Sequence, residues 1–318
     1  KGWKKIWRGD AFSPPISAIT LNYNTFEINV SPSKLGRAPQ VKLEPAGTNI
    51  NIINKAVTSN KKGSISAHWL DGENTLVIKG RISPRRRLQK FELAVRDPAL
   101  YTGNVFKKAL EELGIKVNGN VRMGEVPNWS KHVYTQKSVP LYLIINEYNK
   151  ESVNVIGENL MKTLGAQFIG APGTWEKGAR VISDFLIGIG IDDQFRIVDG
   201  SGLSILNRIS PQALTEVLKY AYTNRIIGEE FVNSLPIAGV DGTLEKRFRR
   251  SQVEGKVFAK TGYLNNVRAL SGYAFTKSGE VLVFSILSNG IGWKAKSFQD
   301  ELLKEMVECC NINGSFNN

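Results

Sequence analysis

The sequence predicts an α+β protein in which a strand-rich stretch is followed by helices packed on an antiparallel sheet. Three observations lead there. Apolar residues alternate with polar ones over roughly the first ninety positions. Helix entrances and 3.6-residue spacing begin near residue 97. Three apolar runs of strand length then precede an amphipathic C-terminal segment.

In the first stretch, Thr25 to Val30, Gln40 to Leu43 and Thr75 to Ile78 read as strands separated by Pro, Gly and Asn clusters. Asp97-Pro98 supplies a helix cap and a proline for the first turn. Phe106, Ala109, Leu110 and Leu113 continue at helical spacing to Gly114, and Ile115 to Val121 reads as a strand. Beyond Pro140 one helix is expected to Tyr148. A second is expected from the apolar face Val155, Ile156, Leu160, Met161 and Leu164, closed by Gly165. The polar link Asn149 to Asn154 joins them. Another helix should run from Pro211 to about Asn224. Lys256 to Thr261, Ala269 to Thr276 and Val281 to Ser288 are the three sheet strands, with a turn at Lys277 to Glu280 between the last two. Phe298, Leu302, Leu303 and Met306 give the final helix its apolar face.

At 318 residues, 42% hydrophobic and 22% charged, the chain has a folded protein's composition. No apolar run is long enough to span a membrane as a helix. Adjacent Cys309 and Cys310 make neither a disulfide framework nor a metal site, and only His68 and His132 are present. That leaves no cluster for zinc and argues against a Ser-His-Asp triad. The net charge of +13 favours anionic surroundings, either a wall polymer or a membrane face. No nucleic-acid module accompanies the runs Arg85-Arg86-Arg87 and Lys246 to Arg250, so nucleic acid is not an expected partner.

Two short motifs carry the chemistry. Ser152-Val153-Asn154 lies in the inter-helix link, and Lys260-Thr261-Gly262 interrupts an apolar strand before Tyr263. Each tripeptide is weak alone, because Ser often caps a helix and Gly often ends a strand. Together, in this order and context, they match the later motifs of serine acyl-transfer enzymes that use a Ser-x-x-Lys nucleophile. The surrounding segments VDGSGLS (198–204), LPIAGVDGTLEKRF (235–248) and AKTGYLNNVRALSGY (259–273) sharpen the likeness, as do SPPISAITLNYN (13–24) and PGTW (172–175). With them the chain resembles the D-alanyl-D-alanine carboxypeptidase/endopeptidase family, the class C penicillin-binding proteins.

The resemblance implies a penicillin-binding transpeptidase-like domain with inserted β-rich domains. Residues 1–138 would be the inserted region, about 1–90 all-β and about 91–138 β-α-β-like. Residues 139–318 would be the C-terminal part of the catalytic domain. It further implies peptidoglycan stem peptides as substrate, β-lactam antibiotics as ligands of the intact enzyme, no bound metal or organic cofactor, and a periplasmic or other extracytoplasmic location. Ser152, Asn154 and Lys260 would be catalytic, with Ser152 passing a proton to the leaving amine and Asn154 holding the lysine of the first motif and the substrate amide. Thr261, Gly262 and Tyr263 would bind substrate: the Thr261 hydroxyl at its carboxylate, Gly262 by allowing close approach, and the Tyr263 N–H at the oxyanion. Asp199 to Gly202 reads as a supporting turn, and Ser204 and Asn207 are spaced three apart rather than two.

The first motif is matched only by Ser31-Pro32-Ser33-Lys34 and Ser59-Asn60-Lys61-Lys62, both in turn-like contexts. A nucleophilic serine needs its lysine one helical turn away. The expectation is therefore a chain that lacks the nucleophile segment and is inactive by itself. The alternative is a non-catalytic cell-wall-binding homologue.

Overall fold

Alternating strands and a capped helix build the first part of the chain. The computed structural model describes residues 2–4, 7, 9–192, 194–291 and 294–308, so Cys309 and Cys310 lie outside the described residues. The chain divides into two compact units, Lys4–Tyr134 and Thr135–Asn318 together with Lys1–Trp3.

The Lys4–Tyr134 unit holds β1 (Thr25–Ser31), β2 (Gln40–Glu44), β3 (Asn51–Asn54), β4 (Val57–Thr58), β5 (Ile65–Trp69), β6 (Thr75–Ile82), β7 (Gln89–Ala94) and α1 (Pro98–Glu112). Strands β2, β1 and β7 form one antiparallel sheet; β6 pairs with β3 and β4 in parallel and with β5 antiparallel. Period-two burial puts Phe26, Ile28 and Val30 of β1 into one core with Leu76, Ile78 and Ile82. Helix α1 starts where expected, with the Asp97 carboxylate accepting from Leu100 N at 3.0 Å. The helically spaced apolar row is not the face it buries. Tyr101 packs into the core and donates to Thr25 O at 2.9 Å, whereas Phe106 and Leu113 are exposed. Ile115 to Val121 is not a strand, because no neighbouring strand pairs with it and its apolar spacing goes unused.

In the second unit lie α2 (Leu141–Glu151), α3 (Asn154–Phe168), α4 (Trp175–Gly188), α5 (Pro211–Thr223), α6 (Gly228–Ser234), β8 (Val257–Leu264), β9 (Val267–Phe275), β10 (Val281–Asn289) and α7 (Lys294–Glu308). The strands form an antiparallel sheet in the order β10-β9-β8. One face buries Val257, Ala259, Leu270 and Ala274 against Leu303 and Val307 of α7. The other carries Phe258 and Tyr273 against Leu218 of α5 and Val232 of α6. The described residues are thus mixed α and β with antiparallel sheets. None of their helices is long and apolar enough to cross a membrane.

Helix α3 runs past Gly165 because that glycine serves packing, not termination. A Cβ there would lie 2.8 Å from Gly178 N of α4, so its absence lets α3 and α4 touch. The sequence pattern did not reveal α4, whose first turn is capped by Thr174 accepting from Lys177 N at 3.2 Å. Gly157 of α3 likewise meets the 198–204 turn, since a Cβ would sit 2.4 Å from Gly200 O and 2.7 Å from the Tyr148 ring. Replacing Gly157 with alanine is therefore expected to lower stability by about 2 kcal/mol, the scale of a core overpacking, measured by urea unfolding.

Candidate active site

The short link between α2 and α3 places the first motif. Helix α2 extends to Glu151, so the connection is only Ser152 and Val153. Ser152 adopts the left-handed conformation, with φ 57° and ψ 45°, which a non-glycine residue visits at a cost. Asn154 opens the first turn of α3.

From the sheet side, Lys260 of β8 reaches this bend and its Nζ donates to Ser152 Oγ at 2.7 Å. A second, longer bond runs to Thr261 O at 3.3 Å. Burial pushes the Lys260 ammonium down from its ordinary range to about 8. No carboxylate among the described residues pairs with it. The result is a cation beside a hydroxyl, with a proton that can be exchanged near neutral pH.

Thr261 follows Lys260 on β8. Its hydroxyl donates to Thr243 Oγ1 at 2.9 Å. Thr243 follows Gly242, at φ +54°, and Asp241, whose carboxylate takes Lys150 Nζ at 2.7 Å and Ile237 N at 2.8 Å. Lys150 also donates to Leu235 O at 2.6 Å. Because Lys150 is two residues before Ser152, this ion pair fastens the 235–244 loop to the end of α2. These residues were not singled out as functional from sequence; the segment holding Asp241 and Thr243 stood out only for its family likeness.

Strand β8 has an open edge. Ala259 N donates to Pro236 O at 2.9 Å and Val257 O accepts from Ala238 N at 2.9 Å, so these odd-numbered residues aim their backbone away from β9. By the same alternation Thr261 and Tyr263 present N–H and C=O on that side, where no described strand pairs with them. Gly262 faces Ala269 across the strands, and a Cβ on it would approach Ala269 Cβ to 3.0 Å. Tyr263 is exposed, its ring stacked at 3.5 Å by the Arg268 guanidinium of β9.

A largely buried polar network ties α2 and α3 to the 199–204 turn. Asp199 accepts from Gly202 N at 3.0 Å, Ser204 N at 2.6 Å, Asn207 Nδ2 at 2.7 Å and Trp3 Nε1 at 2.8 Å. The 199–204 segment is therefore a carboxylate-centred turn, and Ser204 and Asn207 belong to it. Glu158, fully buried on α3, accepts from Ser201 N at 2.8 Å and from Trp175 Nε1. Desolvation raises its pKa, and the hydrogen bonds from Ser201 and Trp175 oppose that. Tyr148 closes the network by donating to Gly200 O at 2.7 Å. Burial pushes the Tyr148 hydroxyl up to about 12, so it stays protonated.

The two Ser-x-x-Lys matches are not helical. Ser31 ends β1, followed by the β1–β2 loop, and Ser59 follows β4, its Oγ accepting from Lys61 N at 3.1 Å. No group of His, Cys, Asp and Glu among the described residues is arranged to hold a metal.

Comparison with known proteins adds three findings. Residues 1–309 match the D-Ala-D-Ala carboxypeptidase 3 (S13) family. A D-alanyl-D-alanine carboxypeptidase of Actinomadura sp. (strain R39) is 33% identical over 94% of this chain, which spans 58% of that relative's length. The fold is similar to the crystal structure of penicillin binding protein 4 from Haemophilus influenzae, with TM-score 0.80 and 24% identity over 97% of this chain and 71% of that one. The same protein is also known in complex with a β-lactam, at TM-score 0.78 and 24% identity over 94% and 72% of the two chains.

Proposed function

Because this chain belongs to the D-Ala-D-Ala carboxypeptidase 3 (S13) family, we propose that its Ser152–Lys260 pair serves a serine-type D-Ala-D-Ala carboxypeptidase/endopeptidase acting on peptidoglycan stem peptides outside the cytoplasm. The observation that carries the proposal is the 2.7 Å bond from Lys260 to Ser152, made between residues 108 positions apart.

The nucleophile is a serine on a Ser-x-x-Lys segment that these 318 residues do not contain in helical form. That serine gives its proton to the lysine of the same segment and attacks the carbonyl of the penultimate D-alanine, and an ester bond forms while the carbon–nitrogen bond breaks. Ser152, relayed by Lys260, delivers the proton the leaving amine needs. Asn154 orients the lysine of the first motif and the substrate amide. Water then hydrolyses the ester. The peptide lies along the open edge of β8, where the Tyr263 N–H supplies one donor to the oxyanion. Its terminal carboxylate meets the Lys260 charge and the paired hydroxyls of Thr261 and Thr243. A β-lactam occupies the same edge and acylates the same serine.

The test is release of D-alanine from an N-acyl-D-Ala-D-Ala peptide. The form of the protein that carries the Ser-x-x-Lys segment is expected to release it, and the 318 residues alone are not. Absence of release and of β-lactam acylation in the longer form, with the fold intact, would favour a non-catalytic wall-binding protein. Thr243→Val should lower kcat/KM on the carboxylate substrate about tenfold, through the lost charge-assisted hydrogen bond. Thr243→Ser, which keeps the hydroxyl, should stay within about twofold.

A further inference from the structure

The net charge is unevenly divided. The Lys4–Tyr134 unit holds 21 Lys and Arg against 10 Asp and Glu, a net of +11, whereas the remaining residues hold 21 against 19. Within that unit the fold gathers three stretches far apart in sequence. The stretch around Lys34 and Arg37 meets the one around Thr58 through bonds from Gly36 N to Thr58 O at 2.9 Å and from Thr58 N to Arg37 O at 2.8 Å. The latter is tied to the end of β6 by bonds from Ser59 N to Ile82 O at 2.9 Å and from Arg81 N to Ser64 O at 3.2 Å.

Together these stretches carry Lys34, Arg37, Lys55, Lys61, Lys62, Lys79, Arg81 and the run Arg85-Arg86-Arg87. Residues 31–39, 55–64 and 79–88 contain no Asp or Glu. Each of these cations is exposed, and none forms an ion pair among the described residues. An ordinary solvated face mixes both signs, and concentrating one sign costs self-repulsion. Here three stretches separate in sequence become one basic pole.

We infer that this pole binds a flexible polyanion of polyol–phosphate units. Half of the cations are arginines, whose planar guanidinium matches a phosphate in bidentate fashion. A lipid surface fits less well, because membrane-lying segments pair their cations with aromatic anchors, and these three stretches contain no aromatic residue. Duplex DNA also fits less well, because the pole is made of short loops and strand ends, without a helix or ribbon to enter a groove. The inference is independent of the Ser152–Lys260 pair.

The experiment uses the 318-residue chain and measures binding to poly(glycerol phosphate), to vesicles containing phosphatidylglycerol and to duplex DNA across a salt series. Binding to the polymer is expected to be strongest and to fall steeply with salt through counterion release. The variant R85A/R86A/R87A should weaken it at least tenfold and make the slope of log K against log salt shallower by about 2, at about 0.7 per lost phosphate contact. Removing three cations from α7 (K294A/K296A/K304A) should change neither, which separates place from net charge. Circular dichroism establishes that both variants fold. No binding to the polymer, equal losses in both variants, or tighter binding to vesicles or DNA than to the polymer would each overturn the inference.

Discussion

Replacing Lys260 with methionine is expected to abolish acylation while making the protein more stable. The first effect follows from the site. In the proposed mechanism Lys260 supplies positive charge and the relay partner of Ser152, to which it is bonded, and losing a preorganised group of this kind costs about 10³-fold in rate. The second follows from burial, which lowers the folded-state pKa to about 8 from an ordinary 10.5. Below pH 8 the lysine is charged in both states, so the folded protein bears the full desolvation penalty, about 3 kcal/mol. Between pH 8 and 10.5 the folded state gives up the proton while the unfolded state keeps it, and stability rises with pH. Urea unfolding of the 318-residue chain at pH 7 and pH 10 reads this directly. The wild type should gain stability over that range, and K260M should lack this gain. At pH 7 the variant should be the more stable, by less than the full penalty because its bond to Ser152 is also lost.

Ser152 presents the same conflict between fold and chemistry. Removing its hydroxyl should slow acylation and D-alanine release by about 10²- to 10⁴-fold, the range for a lost proton-transfer group. Reversible binding of the peptide should change far less. The left-handed backbone at Ser152 makes a further prediction, because only glycine takes that conformation freely. S152G and S152A should be equally inactive, but S152G should be more stable than S152A by about 1 kcal/mol. Equal stability of the two variants would show that the bend is not strained.

The two motifs were legible as short runs of residue types, and the structure brings Ser152 and Lys260 together. What held them there was not legible. Lys150 with Asp241, and Thr261 with Thr243, meet through side chains 91 and 18 positions apart and leave no local pattern. Glu158 looked like any polar helical residue, yet it is buried beneath the 199–204 turn. Helix α1 shows the same limit from another side. Asp97 and Pro98 announced its start, but which face it buries was decided by Tyr101 reaching Thr25, not by the row from Phe106 to Leu113. The Ile115 to Val121 stretch had a strand's alternation and no partner strand, and alternation alone does not make a strand. Glycines misled where packing, not turning, required them, as at Gly165 between α3 and α4.

Covalent labelling with a fluorescent penicillin, followed by peptide mapping, tests the proposed site most directly. It is done on the form carrying the Ser-x-x-Lys segment, its K260M and S152A variants, and the 318 residues alone. The label should sit on that segment's serine, nearly vanish in both variants, and be absent from the shorter chain. Label on Ser31 or Ser59, or undiminished label in both variants, would contradict the assignment of Ser152 and Lys260 to the acyl-transfer site.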